Sequence, residues 1–337
     1  MPQTPYCVAR PLLFLLPPEA AHKAALCALR MRVKINGLSP PINTNPTTAM
    51  GLEFPNRLGL AAGFDKNGGD VDALATMGFG FIEIGAITPR PQPGNAPPRL
   101  FRLPQAQALI NRMGFNNCGA SRAVKNLVSR RYRGVLGINL GKNAATPLSE
   151  AAGDYEECLG QLYDSGDFFT INISSPNTVG LRDFQQGENL RALLQQVLKK
   201  RDELAKIHNR RAPVAVKISP DLSDEEIHTV ADTATKCGID GVIACNTTNA
   251  RPPSVSGLRH AAEEGGLSGK PLAARATAVI KILRSGLPND IAIIGVGGIQ
   301  SVSDAQEKLQ AGAQLLQIYT GLIYQGPGLA MKIIKAL

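Results

Sequence analysis

The sequence predicts an α/β fold, a closed (β/α)8 barrel with a small helical extension at its N-terminus. Three observations carry this. From Leu58 onward, short apolar runs alternate with helical stretches, the rhythm of parallel βαβ units rather than of hairpins. Eight such units can be counted, the number that closes a barrel. Unusual polar residues also collect at the C-terminal ends of the runs, where such barrels place their active sites. An open doubly wound sheet is the structural alternative, because counting units does not prove closure.

Residues 1–40 stand apart from this rhythm. Their apolar stretch, Pro11-Leu-Leu-Phe-Leu-Leu-Pro-Pro18, is far shorter than the roughly 20 residues of a spanning helix. No small-residue cleavage site follows it and the texture of a transit peptide is missing, so no removed targeting segment is expected. Pro18 and Glu19 suit a first helical turn, and Ala21, Ala25, Leu26, Leu29 and Val33 then share one helix face. Against the single acid Glu19 stand Arg10, Lys23, Arg30, Arg32 and Lys34, the pattern of amphipathic helices lying on an anionic membrane. A helical pair packed on its own domain would read the same way.

Residues 41–337 form the predicted barrel. Its strands are expected at Leu58–Gly63, Gly80–Gly85, Val135–Leu140, Phe168–Ser174, Pro213–Ser219, Asp240–Asn246, Ile291–Gly297 and Gln314–Tyr319. Helices are expected at Gly69–Met77, Ser121–Arg131, Leu148–Asp164, Asn189–His208, Asp224–Cys237, Pro271–Ser285 and Val302–Ala311, and in the tail after Gly326. The segment from Pro89 to Asn117 is longer than a βα connection needs. Its runs Arg99–Leu103 and Ala108–Asn111 read as a small hairpin over the barrel mouth.

Composition narrows the function. The six cysteines are scattered without metal-ligand spacing, which points to reduced thiols and no metal site. The net charge of +9 comes without long Lys/Arg blocks and with few aromatics, so an anionic membrane or substrate fits better than nucleic acid.

The fourth run, Phe168-Phe-Thr-Ile-Asn-Ile-Ser-Ser-Pro-Asn177, passes from β-formers into amide and hydroxyl groups and should carry the chemistry. Alone, Ser-Ser-Pro-Asn could be turn chemistry. The other runs end similarly, in Ala61–Lys66, Asn139, Cys245-Asn-Thr247, Gly297-Gly298 and Tyr319-Thr320. Lys217 stands inside the apolar fifth run, where a lysine is costly without a fixed anion or an electron-rich ring beside it; a buried structural ion pair is the plainer explanation. Lys66 could equally be a solvated surface lysine. Gly295-Val-Gly-Gly298, Gly321 and Gly266-Leu-Ser-Gly269 let backbone amides approach a phosphate at the usual barrel position. No dinucleotide or Walker-type glycine motif appears, so a mononucleotide such as FMN fits better than NAD or ATP.

Over nearly its whole length the chain resembles the class 2, quinone-dependent dihydroorotate dehydrogenases. The resemblance rests on Leu60-Ala-Ala-Gly-Phe-Asp-Lys-Asn67, Thr88-Pro-Arg-Pro-Gln-Pro-Gly-Asn95, Pro98-Arg-Leu-Phe-Arg102, Asn111-Arg-Met-Gly-Phe-Asn-Asn117, Asn172-Ile-Ser-Ser-Pro-Asn-Thr178, Gly266-Leu-Ser-Gly269 and Gly295-Val-Gly-Gly-Ile299. It implies a TIM barrel with one FMN per chain, oxidising dihydroorotate to orotate in de novo pyrimidine synthesis. Ser175 would be the catalytic base. Lys66, Asn111, Arg112, Met113, Gly114, Phe115, Asn172, Asn177, Asn246 and Thr247 would hold the substrate. FMN would meet Ala62, Gly63, Phe64, Asp65, Lys66, Ala86, Asn139, Asn172, Lys217, Cys245, Gly269, Gly298, Tyr319 and Thr320. The N-terminal helices would form the quinone entrance near His22, Arg102 and Tyr319, and seat a monomer or homodimer peripherally on the cytoplasmic face of the inner membrane.

The chemistry agrees with this assignment. Dihydroorotate loses a proton from C5 and a hydride from C6, so one face needs a base and the other a flavin. A serine is a weak base unless it can relay the proton onward. Asparagines suit a urea-like edge because they both donate and accept. Three departures stand out: Ala86 and Cys245 occupy places where close relatives tend to have threonine, and Pro11 should kink or shift the first helix. The rival readings are a class 1 type enzyme using fumarate or NAD, and a non-catalytic basic barrel docking on membrane or nucleic acid.

Overall fold

A computed structural model of the chain describes residues 6–38, 41–178, 180–185 and 187–337. Two helices open it, α1 (Tyr6–Leu15) and α2 (Pro18–Asn36), and a short antiparallel hairpin follows, β1 (Thr47–Ala49) and β2 (Leu52–Phe54). The boundary expected at residue 40 lies outside the described residues. The remainder runs β3 (Leu58–Leu60), α3 (Val71–Ala75), β4 (Phe81–Ile87), β5 (Leu100–Leu103), β6 (Ala108–Asn111), α4 (Ala120–Val128), β7 (Val135–Leu140), α5 (Ala151–Leu162), β8 (Phe168–Asn172) and α6 (Gly187–His208). It continues with β9 (Val214–Ile218), α7 (Asp224–Cys237), β10 (Gly241–Ala244), β11 (Gly266–Gly269), α8 (Ala273–Gly286), β12 (Ala292–Val296), α9 (Val302–Gln310), β13 (Leu315–Ile318), α10 (Thr320–Gln325) and α11 (Gly328–Ala336).

Strands β3, β4, β7, β8, β9, β10, β12 and β13 form a closed parallel barrel, shut by the pairing of Leu316 with Leu58 and Ile318 with Leu60. This excludes the open sheet. Alternation along each strand builds two cores. In β8, Phe169 and Ile171 face the helices, while Phe168 joins Phe54, Phe81, Ala215, Ile243, Ile294 and Leu315 inside the barrel. The rings of Phe54, Phe81 and Phe168 meet edge to face, with centroids 5.2 and 6.1 Å apart, and fill the barrel's lower end.

Six of the eight predicted strands run longer than the observed ones, mostly at their C-terminal ends, while β7 matches its prediction and β4 continues past Gly85 to Ile87. Beyond Asn172, for example, the backbone leaves the ladder and side chains take over the hydrogen bonding. Three elements escaped the sequence reading. The β1–β2 hairpin carries Met50 and Phe54 into the lower barrel. Strand β11, read only as a glycine turn, joins the predicted hairpin as the third strand of a β11-β6-β5 sheet. Helix α10 follows β13 at once, with Thr320 at its start.

Helix α7 shows how local sequence sets a boundary. The Ser223 hydroxyl accepts the Glu226 N–H while the Glu226 carboxylate accepts the Ser223 N–H, and Gly238 ends the helix at φ +71°. In α1 the helix begins at Tyr6, ahead of Pro11, so proline does not set its start.

Two bidentate ion pairs fasten α2 to the barrel, Arg99 to Glu19 at 2.9 and 3.0 Å and Arg30 to Asp70 at 2.5 and 2.8 Å. The Tyr6 hydroxyl donates to the Ile323 carbonyl at 2.6 Å, and Arg102 donates to the carbonyls of Phe14 and Leu16 while lying 4.6 Å above the Phe14 ring. Ala21, Leu26 and Val33 are buried, as the predicted face requires. Among the described residues no helix is long and apolar enough to cross a membrane.

Candidate active site

A cavity of about 1060 Å³ opens at the C-terminal ends of the barrel strands and extends between α1 and α2. Every predicted site residue lines it except Arg112 and Asn139. The Arg112 guanidinium turns away, pairing with Glu263 at 2.8 Å and stacking on Phe101, so its side chain braces the surrounding loops rather than the cavity. Asn139 is fully buried one layer beneath, hydrogen-bonded to Asn172.

The loop after β3 is wound about Asp65, whose carboxylate accepts the N–H groups of Asn67, Gly69 and Asp70 at 3.0, 3.2 and 2.6 Å. Burial nevertheless outweighs these bonds and raises the Asp65 pKa from its ordinary value. The winding presents Lys66 to the cavity. Its ammonium is brought down to about 8, by burial first and by the Arg99 charge second, with Glu19 opposing.

At the tip of β8, Asn172, Ser175 and Asn177 face the cavity. The Asn177 amide donates to the Asn111 carbonyl and side-chain oxygen at 3.3 and 3.4 Å, tying this tip to β6. Arg182 secures the loop from behind, donating to the carbonyls of Ser174 and Thr247 and pairing with Asp221. Phe115 holds φ +52° where its segment turns over the cavity, against Ala86.

On the opposite side, Gly269, Gly297 and Gly298 hold φ of +98°, +117° and +76°. At Gly298 a Cβ would stand 2.4 Å from the Ala273 backbone, and at Gly269 2.3 Å from the Gln107 carbonyl. Only glycine allows Gly298 so close to the start of α8 and Gly269 so close to the Gln107 carbonyl, with Thr320 and Ser268 sharing a 2.8 Å hydrogen bond beside them. Burial pushes the Cys245 thiol and the Tyr319 phenol up to about 12, so both stay neutral.

Toward the N-terminal helices the lining becomes apolar, with Leu13, Phe14, Ala21, Ala25, Leu26 and Leu29. His22 packs edge-on to Phe64 at 5.3 Å, and Phe64 lies 4.8 Å from Tyr319. Burial lowers the His22 pKa, which favours the neutral imidazole. Arg102 stands at this outer end.

Sequence reading missed a layer beneath the cavity. Glu83 on β4, fully buried, accepts from Asn139 at 2.7 Å and from Gln317 at 2.5 Å. Its signal was available: an acid inside Phe81-Ile-Glu-Ile raises the same question as Lys217 inside β9.

A family model described as dihydroorotate dehydrogenase matches residues 45–337. A curated relative from Methylococcus capsulatus, named dihydroorotate dehydrogenase (quinone), is 51% identical over 327 residues, covering 96% of this chain and 96% of its own. One of the same name from Azotobacter vinelandii is 50% identical over 336 residues, covering 98% of this chain and 96% of its own. Among solved structures, the Eimeria tenella DHODH in complex with ferulenol superposes with a TM-score of 0.86 at 37% identity, covering 94% of this chain and 89% of that one. With a matching family model, half-identical relatives of nearly equal length and the same closed barrel, the chain belongs to the quinone-dependent, class 2 branch of the dihydroorotate dehydrogenase family.

Proposed function

We propose that the chain oxidises dihydroorotate to orotate and passes the electrons through one bound FMN to a membrane quinone, a step of de novo pyrimidine synthesis. The observation that carries this reading is the continuity of the cavity. Its inner end is lined by amides, Ser175 and Lys66, which suit a small polar acid; its outer end is lined by α1 and α2 side chains, which suit an apolar acceptor.

The residues present fit FMN. Lys217 is 6% exposed and faces the cavity, with no hydrogen bond or ion pair among the described residues, so an anionic or electron-rich partner suits it. Gly269 and Gly298, whose backbones pack against Gln107 and Ala273, line the cavity with main chain rather than side chain, and backbone amides there suit a phosphate. Ala62 to Lys66, Ala86, Asn172, Lys217, Cys245, Gly269, Gly298, Tyr319 and Thr320 would hold the cofactor, with Asn139 acting through Asn172. The chemistry that FMN supplies when bound is uptake of a hydride and its onward passage as electrons.

The chain's own residues supply the rest. Ser175 takes the C5 proton; Asn111, Asn172, Asn177, Asn246 and Thr247 hold the urea-like edge; Lys66 meets the carboxylate. Met113, Gly114 and Phe115 cover the substrate, and Arg112 supports that segment from outside. His22, Arg102 and Tyr319 border the quinone path. The helix pair rests peripherally on the cytoplasmic face of the inner membrane through Leu12, Leu15, Met31 and Ile35, which are exposed beside Lys23, Arg32 and Lys34.

Dihydroorotate oxidation assayed in parallel with a short-tailed quinone, fumarate and NAD tests the reading. Turnover with quinone alone is expected; equal turnover with fumarate or NAD overturns it.

A further inference from the structure

The buried amides of the site form a single line with one direction. The Asn139 amide nitrogen donates to Glu83 at 2.7 Å, and its oxygen accepts from Asn172 at 2.9 Å. The Asn172 oxygen in turn accepts from Asn246 at 3.4 Å and from the Ser174 hydroxyl and N–H at 3.2 and 3.3 Å, and the Asn246 oxygen accepts the Thr247 N–H at 2.8 Å. An amide group can sit either way round, and the two ways present opposite chemistry to a ligand. Here the direction is dictated from the ends, because a carboxylate offers only acceptors and a backbone N–H only a donor.

The two ends differ in strength. The links nearest Glu83 are short and involve an acid, whereas the link from Asn246 to Asn172 is long at 3.4 Å. Glu83 has no cation beside it among the described ion pairs, so it is not in place to form a salt bridge. Both its hydrogen-bonding partners are amides that reach toward the site from neighbouring parts of the barrel wall, Asn139 on β7 and Gln317 on β13.

We propose that Glu83 is a positioning residue for the substrate: by fixing the orientation of Asn139 it fixes which edge of Asn172 faces the bound pyrimidine. The proposal rests on the reading that Asn172 holds the substrate. Glu83 touches neither substrate nor cofactor in this scheme. It works as an acceptor, and its negative charge is secondary. That distinction makes the proposal testable, since Gln317 carries an unused buried oxygen. A glutamine at position 83 could accept from Asn139 with its own oxygen and donate to Gln317 after that amide turns over.

The test is orotate affinity, measured by calorimetry on FMN-loaded protein, with thermal stability followed alongside. Glu83→Met, which keeps the length but removes the acceptor, is expected to weaken orotate binding by about tenfold, the scale of one disrupted buried hydrogen bond. Glu83→Gln is expected to stay within about threefold of the parent. A folded Met variant that binds orotate like the parent overturns the proposal, as does a Gln variant as impaired as the Met one. Should the Met variant not fold, Asn139→Asp and Asn139→Asp/Glu83→Gln carry the test. The single change sets two acceptors against each other; in the double, the amide introduced at position 83 donates to a residue that still accepts from Asn172. Affinity lost in the single and regained in the double is the expected result, and equal affinity in the two overturns the proposal. A parent protein that binds no orotate overturns the substrate reading itself, and the proposal with it.

Discussion

The Ser175 hydroxyl oxygen accepts the backbone N–H of Asn177 at 3.3 Å, and no imidazole or carboxylate hydrogen-bonds to it among the described residues. A hydroxyl held this way is positioned by its own turn rather than activated by a neighbouring base. Ser175→Ala should therefore leave folding and FMN content unchanged while turnover falls by roughly 10²–10⁴-fold, the usual cost of a positioned base. Stopped-flow reduction by dihydroorotate at the parent rate would rule the assignment out. Ser175→Cys should recover only part, since a thiol differs from a hydroxyl in size and proton affinity.

Lys66 gives the site a pH dependence with a definite sign. Its pKa of about 8 lies below the ordinary 10.5, so it holds a charge for an anionic ligand below pH 8 and loses it above. Orotate affinity should be flat from about pH 6.5 to 7.5 and decline above 8, with proton uptake on binding at the alkaline end. Lys66→Arg should remove that decline. The stability effect of the empty site has the opposite sense: between about 8 and 10.5 the unfolded chain binds more protons, so the Lys66 contribution rises with pH there. Calorimetric titrations at several pH values check the first claim, and melting of Lys66→Met against the parent checks the second.

Lys217, in register with Asn172 across β8 and β9, is buried without a partner among the described residues. Lys217→Met should lower FMN content at purification and at the same time raise the melting temperature of the cofactor-free protein, because an isolated buried lysine is costly. Full flavin absorbance in the variant would sink the cofactor role. An unchanged melting temperature would show that Lys217 is better satisfied than its contacts indicate.

The barrel was legible because its strands repeat a pattern that only burial on both faces explains, and closure needed only the pairing of β13 with β3. Site residues were legible where a residue type clashed with its local pattern, as with Lys217, or where several polar groups crowded one strand tip, as from Asn172 to Asn177. Hidden features had no such local mark. Arg112 belongs to a cavity-facing segment, yet Phe101 and the distant Glu263 draw it outward, and the Glu263 contact spans 151 residues, which no short motif encodes. Strand β11 is too short and glycine-rich to alternate, and it exists because β6 offers an open edge. Glu83 is the exception: it carried a local mark, an acid inside Phe81-Ile-Glu-Ile, and only its partners, Asn139 and Gln317, lie on strands far away in the chain.

The outward face of the helix pair makes the final prediction. Leu12 is 66% exposed and Leu15 82%, while their neighbours Leu13 and Phe14 turn inward to line the cavity. An apolar surface this open, on a helix pair that also exposes Lys23, Arg32 and Lys34, suits a lipid interface that both covers leucines and attracts basic side chains. The intact chain should bind vesicles containing phosphatidylglycerol and be released as salt rises. Leu12→Asp/Leu15→Asp should weaken that binding by about a hundredfold or more, since each leucine buried contributes roughly 1.5–3 kcal/mol. Neither residue lines the cavity, so dihydroorotate oxidation with a water-soluble dye should match the parent, and only turnover with a long-tailed quinone in vesicles should fall. If the double variant binds vesicles as the parent does, the helix pair is not the membrane contact. If it loses activity with the soluble dye as well, α1 supports the barrel mouth itself through its Tyr6 and Arg102 bonds.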